Sequence, residues 1–230
     1  MNTFAGKTLK RHECFWNSFA GRSYYSSILF QRYRVFPVNN TIPLFEVSSF
    51  LRKPTAGRLE VLFVNCNPSG TDVAYYKTHN SAGNDFFYYD NSKNAYFENA
   101  ESFYKELGQK DENYAMIDLF PIVLKEQAVL KDVYKKNPKL FVPLLHVFVK
   151  AIEELQPKVI VVTNAFVRDV LKKEMSKFEE NKSGVYYEMK TCALESVVFC
   201  GGMISGSHQM DVESKKRLIR DVRTYLNFLS

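Results

Sequence analysis

Four short apolar runs set the limits on how this chain can fold. They are LEVLFVNC (59–66), YAMIDLF (114–120), KVIVVTN (158–164) and SVVFCGGMIS (196–205). Each is rich in β-branched or aromatic residues, and each reads as a strand buried on both faces. Helical patterns lie between and after them, which predicts an α/β fold with a parallel sheet and crossover helices. AFVRDVLKKEM follows the third run directly. Before it, Asn137 and Pro138 read as N-cap and first-turn residues of a helix through PKLFVPLLHVFVKAIEEL. The last segment places Leu218, Ile219, Val222, Tyr225, Leu226 and Leu229 on one stripe, with Lys215, Lys216, Arg220 and Arg223 off it. That is an amphipathic helix for packing on the sheet. At 230 residues and 46% hydrophobic, the chain suffices for one such domain, 1–230, and no Pro/Gly/Ser-rich linker interrupts it. Residues 1–58 are expected to form a helical cover and 59–230 the sheet core with its flanking helices.

Several classes are disfavoured. The opening MNTFAGKTLKRHECFWNSF carries charge where a signal peptide needs an apolar run, and no stretch is suited to span a membrane. Cys14, Cys66, Cys192 and Cys200 show no C-x-x-C spacing, against a disulfide framework and against zinc or iron–sulfur ligation. The expectation is a reducing, cytoplasmic setting, a monomer, and neither metal nor cofactor. A net charge of +6 suits a polyanionic partner. Basic residues together with 19 Phe and 14 Tyr suit nucleic-acid bases, although core packing accounts for aromatics equally well. The long connection 67–113 holds ten of those aromatics, Phe86 and Phe87 among them.

Ligands of open parallel sheets bind outside the carboxyl ends of the strands. Those ends carry Asn67, Asp118, Asn164, and the group Ser205, Ser207 and His208. Each has an ordinary reading as well. Asn67 precedes Pro68 and suits a turn, Asp118 and Asn164 suit helix caps, and His208 suits a surface loop. Their arrival at four strand ends favours a functional rim.

VLFVNCNPSG also resembles the first motif of the uracil-DNA glycosylase superfamily, G-x-N-P-G/S in its mismatch-specific and single-strand-selective branches. Asn67, Pro68 and Ser69 match, with Asn65 standing in the glycine position. MISGSHQMD resembles the second motif, with His208 as its histidine and Gln209 and Met210 in place of Pro-Ser. YAMIDLFP is similar to the base-reading strand, with Asp118 where the family has Asn. PKVIVVTNAFVRDVL is similar to the third strand-helix unit. The resemblance covers roughly residues 58–228.

It implies a three-layer α/β/α sandwich around a central, mainly parallel four-stranded sheet. It also implies a DNA base-excision glycosylase hydrolysing the N-glycosidic bond of uracil or a related damaged pyrimidine. Asn67 and His208 would be catalytic, holding the attacking water and stabilising the departing base anion. Asp118, Phe86 and Phe87 would bind the base. Ser69, Ser205 and Ser207 would contact DNA, helped by cations of the terminal helix or Lys77. The three departures leave a second function open: a catalytically inactive module of the same fold that binds nucleic acid or a nucleotide.

Overall fold

The computed structural model describes residues 59–67, 95–108, 113–120, 127–175, 177–206 and 209–229. The chain divides into two compact units built from separate stretches. Among the described residues, one comprises Asn67, 118–120 and 127–154, and the other the remainder.

Apart from Asp118, the last residue of β2, the second unit holds a sheet whose strands are β1 (Val61–Asn65), β2 (Tyr114–Asp118), β3 (Val159–Val162), β4 (Phe178–Glu180), β5 (Tyr187–Lys190) and β6 (Glu195–Cys200). Their order is β2-β1-β3-β6-β5-β4. All four apolar runs form strands, as their β-branched composition predicts. β1 pairs with β3, and β3 with β6, in parallel. The Asn113 carbonyl accepts from the amides of Glu60 (3.0 Å) and Val61 (3.5 Å), so β1 and β2 start side by side and run in the same direction.

The sheet nevertheless differs from the four-stranded expectation: it has six strands and is mixed, because β4 and β5 add an antiparallel extension to β6. These two strands hide in sequence. Phe178 and Met189 are buried, but Glu179, Glu180, Glu188 and Lys190 face solvent, so no apolar run announces them. Local turn chemistry makes them. The Asn181 side chain accepts from the amides of Val185 (3.0 Å) and Tyr186 (3.1 Å), and Gly184 takes a φ of 70°. Between β5 and β6, the Thr191 amide donates to the Leu194 carbonyl, while the Thr191 hydroxyl accepts from the Leu194 amide. The short, charged β4 at the sheet margin also discourages pairing with another chain.

Helices of this unit lie on both sheet faces. Phe63, Val161 and Phe199 stand in register on one face. Phe63 meets Phe103 of α1 (Ala95–Glu106) edge-on at 5.5 Å, and Phe199 meets Tyr225 of the last helix, Val212–Leu229, at 5.9 Å. Leu62, Ile160, Val198 and Tyr187 share the opposite face. There Lys172, from the helix Ala165–Glu174, lies 4.5 Å from the Tyr187 ring centre. The connection from β1 to β2 thus uses one face and that from β3 to β6 the other. Crossovers of a single hand require this when strands are added in opposite directions.

The amino edge of the sheet is tied by polar groups. The Tyr104 hydroxyl donates to Glu60 Oε2 (2.9 Å) and accepts from the Asn113 amide (3.2 Å), while Lys158 Nζ reaches Glu60 Oε1 (3.3 Å). One cluster therefore joins α1 to the starts of β1, β2 and β3.

In the first unit, α2 (Gln127–Lys136) leads through a 3-10 turn (Pro138–Phe141) into α3 (Val142–Leu155). The single helix read from Pro138 is thus a 3-10 turn followed by an α-helix. Asn137 is its N-cap by position but makes no side-chain capping hydrogen bond. Phe120, Tyr134 and Phe141 pack as an aromatic triangle, with centroids 4.9–6.4 Å apart. The helices Ala165–Glu174 and Val212–Leu229 are α4 and α5.

Candidate functional site at the strand ends

β1 stops at Asn65, and two residues later Asn67 is buried, with 9% of its surface exposed. Pro68 follows in the sequence and disfavours helical backbone at Asn67. Asp118 ends β2 and is 8% exposed. Neither is without an interaction partner. Both belong to the first unit, and both stand at the carboxyl ends of neighbouring strands that run in the same direction. The next described helix after Asp118 begins at Gln127, too far along the chain for Asp118 to be its N-cap. Buried polar side chains at strand ends are costly unless structure or function uses them.

The strand order gives β1 a further property. From β1 the chain goes to β2 on one side, then returns to place β3 on the other. The carboxyl ends of β1 and β3 therefore flank the topological switch point, where connections diverge and open α/β sheets hold ligands. Asn67 is the second residue after β1 in the chain.

At the end of β3 the polar residues are committed to structure. The Thr163 hydroxyl donates to the Val64 carbonyl (3.2 Å). Asn164 Oδ1 accepts from the amides of Phe166 (2.9 Å) and Val167 (3.4 Å), making Asn164 the N-cap of α4. Of its two readings from sequence, the capping one holds.

Past β6 the chain makes a compact turn. Met203 bridges to Gln209, and the Met210 amide donates to the Met203 carbonyl (2.7 Å). Gly206, at φ 88°, supplies the left-handed residue of that turn, which holds the half-buried Ser205. At Gly202 an added Cβ would lie 3.1 Å from Met210 Cβ, so the turn closes tightly against Met210. Ser69, Phe86, Phe87, Ser207, His208 and Lys77 lie outside the described residues. The structure thus brings Asn67 and Asp118 to neighbouring strand ends and places Ser205 in a turn of the second unit.

Cys200 is the last residue of β6. Burial pushes its thiol up to about 12, against the smaller pull of the Arg168 and Lys172 charges. A protonated thiol is a poor nucleophile. Arg168 itself is raised above its ordinary value, chiefly by its hydrogen bond to Asp169 (2.8 Å). Among the described residues, no three His, Cys, Asp or Glu side chains group to hold a metal ion. No helix of the described residues is long and apolar enough to cross a membrane.

The polar tie at the amino edge was not foreseen from sequence. Its signal is there in retrospect: Glu60, Asn113 and Lys158 all sit at or just before the starts of apolar runs. No protein-family model matches the chain, and no curated protein matches it.

Proposed function

We infer that the protein is a DNA base-excision glycosylase that hydrolyses the N-glycosidic bond of uracil or a related damaged pyrimidine. The observation that carries this reading is the buried Asn67, leaving β1 beside the topological switch point of the sheet. It is the first residue of the N-P-S motif by which the sequence resembles the glycosylases. Asp118 supports the reading, as a second buried polar residue at the end of the adjacent strand.

The chemistry follows from what each group offers. A base inside a duplex is inaccessible, so its nucleotide must leave the stack at a cost of a few kcal/mol. The Asn67 amide can both donate and accept, which suits it to hold the water that attacks C1′ of the sugar. The base departs as an anion, and His208 is assigned to donate a hydrogen bond to its O2 as that charge develops. Phe86 or Phe87 is assigned to stack on the extruded base. Asp118 is assigned to read the base edge. An ionised carboxylate only accepts and fits an amino group, as on cytosine, whereas a protonated one both donates and accepts, as uracil requires.

A binding module without excision activity is the second reading, and Met210 favours it. Where the family motif has serine, Met210 is packed against Gly201 and Gly202 as part of the loop's closure. One experiment separates the two. Oligonucleotides carrying a single uracil are incubated with the protein, and abasic sites are revealed by alkaline cleavage. Excision by the wild type, shifted in uracil-to-cytosine selectivity by Asp118→Asn, supports the glycosylase. Binding with no cleavage by either protein leaves the module.

A further inference from the structure

We propose that the outer face of α5 is a docking surface for single-stranded nucleic acid, formed by a basic stripe that ends in an exposed aromatic ring. It deepens the nucleic-acid reading, which already gave cations of this helix a part, and stands on a different part of the chain from Asn67 and Asp118.

α5 carries five cations, Lys215, Lys216, Arg217, Arg220 and Arg223, against two acids, Glu213 and Asp221. Its apolar stripe is spent: Leu218, Ile219, Val222 and Leu226 are buried. Two cations are engaged by α1, Lys215 with the Glu106 carboxylate and Arg223 with the Glu106 carbonyl. The outward ones make only local contacts. Lys216 pairs with Glu213 while 64% exposed, and Arg220 with Asp221 while 71% exposed. Arg217 contacts the Ser214 hydroxyl at 3.3 Å. Exposed pairs of this kind contribute little and exchange readily for another anion.

Helical geometry lines these groups up. At about 100° per residue, Lys216, Arg220, Arg217 and Phe228 fall at roughly 0°, 40°, 100° and 120° around the axis, a single outward face about a third of the circumference wide. The stripe from Lys216 to Phe228 runs about 18 Å along the helix. Phe228 is 86% exposed, the most exposed of the large apolar residues described. A row of cations with an aromatic face at its end is what an unpaired strand requires, phosphates on the cations and a base on the ring. An anionic membrane would attract the same charges, but a surface helix enters lipid with its apolar stripe, and here that stripe is buried in the protein.

Anisotropy of a fluorescein-labelled oligothymidylate, titrated with the full chain over a series of salt concentrations, tests this. Two triple variants are compared: Lys216→Glu/Arg217→Glu/Arg220→Glu, and the neutral Gln set as the milder change. Wild type should bind with steep salt dependence. The Gln set should lower the salt slope by about two, at roughly 0.7 per phosphate contact on a single strand, and weaken binding at least ~10-fold at low salt. Phe228→Ala should weaken it about five-fold or more, with the salt slope unchanged. Unaltered affinity and slope in folded variants would overturn the proposal. So would tight binding of phosphatidylserine vesicles that needs Phe228 while the oligonucleotide does not. The excision reading fails separately: a wild type that binds through this face yet releases no base refutes the glycosylase and leaves the surface standing.

Discussion

Replacing Tyr104 with Phe removes one oxygen and almost nothing else, so its cost can be worked from contacts. The ring stays against Tyr114, 4.6 Å away, and no cavity opens larger than a hydroxyl. Two hydrogen bonds to described residues go. The first runs from the hydroxyl to the Glu60 carboxylate at 2.9 Å. Bonds to charged groups contribute about 1.5–3 kcal/mol, and the low end applies because Glu60 keeps Lys158 and is 18% exposed. The second takes the Tyr104 acceptor from the buried Asn113 amide, worth about 1–3 kcal/mol. Together these give a loss of about 3 kcal/mol. In urea the midpoint should fall with the slope m unchanged, since the surface exposed on unfolding hardly alters. Glu60→Gln tests the wiring: combined with Tyr104→Phe, its cost should be less than additive by about 1 kcal/mol. A loss under about 1 kcal/mol, or strict additivity, would show that the cluster does not tie α1 to the sheet.

Three further outcomes follow from individual groups. Among the described residues the buried Ser196 hydroxyl finds no hydrogen-bond partner, so Ser196→Ala should leave stability unchanged or raise it by up to about 1 kcal/mol in urea unfolding. With its thiol pushed up to about 12, Cys200 should resist iodoacetamide at pH 8 while the exposed Cys192 is alkylated, and mass spectrometry of the peptides reads both. Asp211 accepts from the Ser214 amide (2.8 Å) at the start of α5, which holds its carboxyl below the usual 3.8. A depressed folded value means that its contribution is present above pH 3.8 and fades as pH falls through the folded value. Asp211→Asn should flatten that part of the acid-unfolding curve.

Where the sequence was legible, burial made it so. Val61–Val64, Val159–Val162 and Val198–Phe199 are covered on both faces and therefore read as unbroken apolar runs. β4 and β5 are half exposed and alternate with glutamates, and their pairing depends on the side chain of Asn181, a turn signal that composition does not flag. The apolar stripe of α5 behaves similarly: Leu226 is buried as its spacing predicts, yet Leu229, the last residue of the helix, is 46% exposed. At the candidate site, spacing places Asn67 and Asp118 at strand ends. It does not distinguish Asn164, whose amide oxygen is taken by the first turn of α4, from a residue left for a ligand.

The central claim is that Asn67 acts on the reaction, and single-turnover excision by Asn67→Ala tests it most directly. Wild type and variant are mixed in excess with a uracil-containing oligonucleotide, and the rate of abasic-site formation is measured beside the dissociation constant. Water positioning acts in the transition state, so the single-turnover rate should fall about 100-fold or more with DNA affinity nearly unchanged. Excision by the variant at the wild-type rate, or a wild type that forms no abasic sites, would contradict it.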